Sequence, residues 1–403
     1  MRCIMFLLIL FRSLPAATDS FGMDDHFDRD LSWGVGGYGD DDVRQAIAMM
    51  ATAGVKWYRG GTTWQAVEPV KGAIDKTALQ RLDLIHAEFQ AHGMRQYYTL
   101  GSQPHWASSA PDSADYWAYP PAHLADWATY VSFMAQRFKG KITYWEIWNE
   151  PDWVFWKGSM QQYVEYLTVA YLALKQADPN NQVLIGGFAG NGVNGLDPKT
   201  PGSKDRALQQ LYEAGGKPYF DIMSIHGFVG APNQMEDKIA ACYSEMAKYG
   251  DASKRLWITE LGYSTFGNAP SALMDQAVRV RSVYSALMMH PRVDKVFWYN
   301  FRCRSYDDNY TNNLGMVNID FSPRPAYDTL KAITGGQTVR LAPFRAGSAP
   351  ERKVGFEWGE RDPGSRQAWQ RSALGRVFPA NAQSGILAWK SSDPVGGMSA
   401  RSR

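Results

Sequence analysis

The chain predicts an α/β protein, a closed (β/α)8 TIM barrel with a C-terminal extension. Three observations carry that expectation. Short runs rich in apolar, aromatic and β-branched residues recur along the sequence, as buried parallel strands do. Segments of helical period separate them, giving eight strand–helix units between residues 31 and 335. Two of the strands end in a glutamate: Ile142–Trp148 in Asn149 and Glu150, and Leu256–Thr259 in Glu260. A carboxylate closing a buried strand is costly unless a site uses it. Periodicity does not show closure, so an open doubly wound sheet is the alternative.

The elements follow in order. Leu31–Gly37 reads as the first strand, and Asp40–Asp42 opens a helix running to about Ala53. Val55–Gly61 is the second strand, ending at Arg59, with Trp64 and Glu68–Pro69 in the loop beyond it. Leu79, Leu82, Ile85 and Phe89 recur at helical spacing, and Gly93 closes that helix. Met94–Leu100 is the third strand, leading to His105 and Trp106. A helix with Leu124, Trp127, Val131 and Phe138 on its stripe precedes the fourth strand, which Pro151 terminates. Strands then read at 183–188, 220–226, 256–263 and 294–300, with helices near 160–177, 204–214, 233–249, 271–290 and 324–333.

The chain of 403 residues carries a net charge of +2, which gives no reason to expect nucleic acid or an anionic membrane as partner. Residues 1–17 have a short positive start, an apolar core from Ile4 to Phe11 and small residues at Ala16–Ala17. They read as a secretory signal interrupted by Arg12, with a start at Met23 as the alternative. A secreted or periplasmic protein is expected. No later apolar run is long enough to span a bilayer. Beyond the signal only Cys242 and Cys303 remain, too few for a disulfide framework, and no zinc spacing or HExxH occurs. No metal and no cofactor are expected. The catalytic domain is placed at 24–340. Residues 341–403, rich in Gly, Pro, Arg and Ser, read as a tail or a partial β appendage.

Function in a barrel gathers at the C-terminal ends of the strands. Those ends supply Arg59 with Trp64, His105 with Trp106, Asn149 with Glu150, His226, Glu260 with Tyr263, and Trp298. Trp153 lies just past Glu150. Two carboxylates among amide, imidazole, guanidinium and indole groups suit glycoside hydrolysis, in which one acid protonates the leaving oxygen and the other attacks or activates water. The Trp side chains are candidate sugar platforms.

Trp148–Asn149–Glu150–Pro151 at one strand end, with Thr259–Glu260 at another, resembles the clan of retaining (β/α)8 glycoside hydrolases. Within it the chain is most similar to glycoside hydrolase family 39 and to Psl-type exopolysaccharide endoglycosidases. Gly60–Trp64, Gln103–Trp106 and the late Leu314–Val317 with Pro323–Tyr327 add to the likeness. The resemblance implies Glu150 as acid/base and Glu260 as nucleophile. It also implies Asn149 on the neighbouring sugar hydroxyl and Arg59 holding the nucleophile ionised, on a polysaccharide or oligosaccharide substrate with β linkages. Many clan members carry a tyrosine two residues after the His of strand six; here Phe228 stands there, and Tyr263 is the candidate substitute.

Two other functional classes compete. Gly34–Val–Gly–Gly–Tyr–Gly39 fits a dinucleotide-binding loop, but Asp40–Asp42 crowd the helix end where a pyrophosphate would sit. A silent carbohydrate-binding barrel would keep the fold without turnover.

Overall fold

The computed structural model describes residues 19–189, 206–228, 232–306 and 310–335. The 1–17 signal reading and the 341–403 tail lie outside these residues. Strands β1 (Phe21–Asp24), β2 (Trp57–Gly61), β3 (Arg95–Leu100), β4 (Tyr144–Ile147), β5 (Gln182–Ile185), β6 (Ile222–His226), β7 (Arg255–Leu261) and β8 (Val293–Tyr299) pair in sequence order. Every pairing is parallel, and β8 returns to β1, which closes the barrel. The (β/α)8 expectation therefore holds, and the open sheet is set aside.

Helices α1 (Asp40–Thr52), α2 (Lys76–Ala91), α3 (Leu124–Arg137), α4 (Met160–Ala177), α5 (Ala207–Glu213), α6 (Pro232–Lys248), α7 (Pro270–Arg279), α8 (Ser285–Met289) and α9 (Pro325–Thr334) surround it. A π-turn at Val280–Tyr284 joins α7 to α8. The helix starts follow their sequence signals. The Asp75 side chain accepts from Thr77 and Ala78 N–H at α2, and Ser159 with Gln162 forms a reciprocal cap at α4.

The first strand is corrected. Leu31–Gly36 is a 3-10 turn, and β1 is the four-residue Phe–Gly–Met–Asp upstream of it, so the barrel begins before residue 24. The turn is held locally: the Asp30 carboxylate accepts from Ser32 N–H, and a Cβ on Gly37 would meet the Asp30 carbonyl at 1.9 Å. Arg81 ties the same loop down through the Phe27 and Tyr38 carbonyls. The Gly34–Gly39 motif thus follows a turn instead of a strand, and the dinucleotide reading loses its structural context.

The barrel interior is layered. Trp57, Tyr97, Leu184, Ile222, Trp257 and Phe297 fill its lower part as a cluster separate from the larger core between strands and helices. Gly22 of β1 is fixed by this packing, since a Cβ there would sit 2.2 Å from the Phe297 ring. One strand step higher the inward side chains become polar, and that layer is the floor of the site.

Candidate active site

Arg59, pointing inward from β2, organises the floor. Its Nη1 donates to Asp24 Oδ2 at 2.7 Å and to Glu260 Oε1 at 2.5 Å. Its Nε donates to Glu146 Oε2 at 2.7 Å, and its Nη2 to Asn149 Oδ1 at 2.6 Å. All five side chains are buried. Glu146 is satisfied further by Thr99 Oγ1 and Ser224 Oγ, each at 2.9 Å, and by Gly187 N–H at 3.2 Å. One cation therefore gathers three carboxylates in a place with little water. Burial lifts the Asp24 carboxyl well above its usual range against the pull of Arg59, with the Glu260 and Asp25 charges adding to the rise, and the Glu146, Asp24 and Glu260 charges in turn raise Arg59 against its own burial.

Glu150 and Glu260 share this mouth. With His226 they bring one ligand-type atom each to within 4.8 Å of one another. His226 lies between them: Nδ1 is 2.7 Å from Glu150 Oε1, and Nε2 is 3.6 Å from Glu260 Oε1. Burial, then the Arg59 and Lys238 charges, push the imidazole pKa well below its ordinary value, so the ring is neutral. A neutral ring with its proton on Nε2 faces the Glu260 carboxylate and accepts from a protonated Glu150. Gly187 makes room for that ring, because a Cβ there would lie 2.2 Å from His226 Nε2.

The two carboxyls differ in their surroundings. Burial raises Glu150 well above its usual range, and the Glu260 and Asp152 charges add to the rise. Burial also lifts Glu260, to about 7, but Arg59 works against that lift. Glu150 is thus the stronger holder of a proton, and Glu260 the carboxyl whose ionisation the Arg59 guanidinium favours. Trp148 and Glu150 both have positive φ, 74° and 46°, a strained conformation that turns the Glu150 side chain over the strand ends. Asn149 keeps its Nδ2 buried without a partner, a donor available to a ligand hydroxyl. Glu150, His226 and Glu260 also form a trio that could ligate a metal, although Arg59 already supplies a positive charge at Glu260.

The structure brings together Arg59, Asn149, Glu150, His226 and Glu260, and it takes Trp64 and Trp298 out of the mouth. Trp64 is fully buried, stacked on Tyr130 at 5.2 Å with Nε1 on Glu68, so it is packing beneath the rim. Trp298 points outward from β8 into the helix layer, 6.4 Å from Tyr284, with Nε1 on the Leu314 carbonyl. Strand alternation explains this: Phe297 and Tyr299 take the inward positions. Trp106 is half-buried against Trp64 and bonds the Glu68 carbonyl, and His105 is exposed beside Tyr116. Trp153 is half-buried and lies 5.1 Å from Phe155. Tyr263 sits under Arg279 at 4.8 Å, with no hydrogen bond to Glu260 among the described residues. Phe228 instead faces Tyr299 at 6.3 Å, and it is the Tyr299 hydroxyl that feels the Glu260 charge.

Asp24, Glu146, Tyr299 and Lys238 are parts of the site that the sequence reading missed. Asp24 was hidden with β1. Glu146 carried a signal, being two positions from Tyr144 on a strand and so on the inward parity. Lys238 of α6 is buried, with Nζ on the carbonyls of Ala189 and His226. Burial lowers its pKa to about 8 against the pull of Asp152 and Glu150.

Comparison with known proteins agrees with the resemblance read in the sequence. Residues 76–253 match the model of "Glycosyl hydrolases family 39", a span that holds Glu150 and His226 and stops short of Glu260. A "Beta-xylosidase" of Caldicellulosiruptor saccharolyticus is 22% identical over 270 residues, covering 58% of this chain and 52% of the relative. This chain thus spans about half the length of that curated relative. A family 39 glycoside hydrolase from the gut symbiont Bacteroides cellulosilyticus WH2 superposes with a TM-score of 0.59 at 21% identity, over 79% of this chain and 64% of that one. A monomeric beta-xylosidase from Caulobacter crescentus CB15 does so with 0.59 at 14%, over 78% and 67%. At these identities the structural likeness speaks for the shared barrel fold.

Proposed function

We propose, from the family 39 match over residues 76–253, that this chain is a retaining glycoside hydrolase with Glu150 as acid/base and Glu260 as nucleophile. One observation carries the reading: the two carboxylates approach within 4.8 Å at the same barrel mouth. Double displacement needs carboxyls about 5–5.5 Å apart, whereas inversion needs about 6.5–9.5 Å to admit a water. In the first step Glu150 protonates the leaving oxygen while Glu260 attacks the anomeric carbon, giving a glycosyl ester. Esterification removes the Glu260 charge that helps hold the proton on Glu150, so Glu150 then accepts a proton from water. Arg59 keeps the attacking carboxylate ionised, and Asn149 Nδ2 is free to hold the neighbouring sugar hydroxyl.

The proposed substrate is a β-linked glycan, with a bacterial exopolysaccharide favoured by the Psl-type sequence resemblance. The half-buried Trp106 and Trp153 remain candidate platforms, whereas Trp64 and Trp298 are taken up by packing. A secreted or periplasmic location accords with the apolar start of the sequence, and fractionation of producing cells tests it. For the chemistry, Glu260→Gln abolishes turnover and a 2-fluoro glycosyl trap labels Glu260. Glu150→Ala recovers rate with azide on substrates with good leaving groups. Labelling of any other residue, or no rescue at all, removes the assignment. Product masses from a panel of exopolysaccharides identify the sugar and linkage.

A further inference from the structure

The hydrolytic steps leave one buried cation unused. Lys238 stands on the core-facing stripe of α6, where Met235, Ile239, Cys242 and Met246 are its buried neighbours in sequence. An ammonium there costs more than the aliphatic side chain that such a stripe ordinarily takes, unless its donors are satisfied. Its Nζ donates to the Ala189 carbonyl at 2.8 Å and to the His226 carbonyl.

These two carbonyls lie where the ends of β4, β5 and β6 are stitched together. Glu150 N–H donates to the Gly187 carbonyl at 3.1 Å, and His226 N–H to the Phe188 carbonyl at 2.8 Å. Ala189 N–H donates to Asp152 Oδ1 at 2.9 Å. Lys238 thus ties a helix to the backbone that carries both Glu150 and His226. From that backbone the His226 ring reaches the acid/base, with Nδ1 at 2.7 Å from Glu150 Oε1.

The Lys238 charge acts on the same carboxyl. Glu150 feels Glu260 of β7, Asp152 of the loop after β4, Lys238 of α6 and Arg59 of β2, and the neutral His226 of β6 bonds it. The two acids tighten its hold on a proton and the two cations loosen it, Lys238 more strongly than Arg59. Arg59 is bonded to Asp24, Glu146 and Glu260, whereas both acceptors of Lys238 are neutral carbonyls. Burial brings the Lys238 ammonium down to about 8 against the pull of Asp152 and Glu150, so it is charged in weak acid.

We propose that Lys238 is the positioning residue of the acid/base: it fastens the Ala189 and His226 carbonyls, so that the imidazole stays on Glu150 and a fixed positive charge stands near that carboxyl. The inference rests on the glycosidase reading above and adds a residue to it. Lys238 acts through Glu150 and His226 and makes Glu150 a stronger acid towards the leaving oxygen. That effect counts most when the leaving group is poor.

The test compares Lys238→Met with the wild type in the full chain, because methionine keeps the side-chain length and removes the bonds and the charge. One readout requires no turnover. The Glu150 carboxyl carbon is followed by NMR through a pH titration of protein carrying isotope-labelled glutamate, its resonance assigned by its loss in Glu150→Gln. A positive charge favours the ionised form, so losing it moves the Glu150 titration to higher pH, by about half to one unit. The second readout is kinetic, on aryl glycosides of the sugar that the product masses identify. With phenol, which leaves only when protonated, kcat/KM falls on the order of tenfold in weak acid; with dinitrophenol, which leaves unaided, it falls by less than about threefold. A Glu150 titration that stays in place or moves down overturns the proposal. So does an equal loss on both leaving groups, which is the mark of a lysine that only supports the fold. If the wild type turns over no glycoside, the hydrolase reading falls and the titration alone decides: an upward shift keeps the action of Lys238 on Glu150, and no shift removes it. Should Lys238→Met fail to fold by thermal melting, Lys238→Gln, which keeps a donor and no charge, is read by the same two measurements.

Discussion

Replacing Glu146 with Gln isolates the electrostatics of the floor. Glu146 and Glu260 bind the same guanidinium through Nε at 2.7 Å and Nη1 at 2.5 Å, and the Glu146 charge is one of the influences that raise Glu260. At an effective dielectric of about 20, a unit charge about 6 Å away is worth about 2.8 kcal/mol, or about two pKa units before relaxation. On the proposed mechanism the nucleophile must be ionised, so activity rises as pH passes upward through its pKa. With Glu260 at about 7, the acid limb of kcat/KM in the wild type lies about 7, well above the 4.5 of an ordinary glutamate. Glu146→Gln removes a charge that opposes ionisation, so this limb moves to lower pH by about one to two units. The alkaline limb, set by Glu150, stays within about half a unit, since Glu146 is not among the main influences on it. The measurement is a pH profile of kcat/KM on one aryl glycoside for both proteins. An acid limb that stays in place, or moves upward, refutes the claim that Arg59 divides its charge among competing carboxylates.

Two further substitutions test the packing around the site. Gly187→Ala drives a methyl into the space of His226 Nε2 and Thr259 Oγ1. The imidazole must shift away from Glu150, with kcat reduced on the order of a hundredfold and stability by about 1–3 kcal/mol; unchanged kcat in a folded variant refutes the role given to His226. Trp298→Phe loses the bond to the Leu314 carbonyl and some core volume, lowering stability by about 1–3 kcal/mol in denaturant titrations with KM unchanged. A tenfold rise in KM would return Trp298 to the cleft as a sugar platform.

The site was partly legible from the chain alone. Glu150 and Glu260 stand out because strands leave few reasons for a carboxylate at their buried ends, and Arg59, Asn149 and His226 share that position. What misled was side-chain direction. Trp298 and Trp64 carry the right chemistry for a sugar platform, yet one lies on the outward parity of β8 and the other under a rim of aromatic rings. Glu146 was passed over for the opposite reason, being buried within a run that reads as uniformly apolar.

By itself the sequence determined the repeating strand–helix order, the positions of nearly all the helices and the two glutamates, because hydrophobic period and capping are local properties. Only the tertiary structure decided that β1 is Phe21–Asp24, since that strand is too short to announce itself and is defined by its pairing with Trp57–Arg59 and Val296–Tyr299. It alone decided that the Arg59 guanidinium of β2 joins Asp24, Glu146 and Glu260, groups from three other strands. Charges so distant along the chain meet through barrel closure, and a pKa depends on what stands within a few ångströms, whatever the separation in sequence.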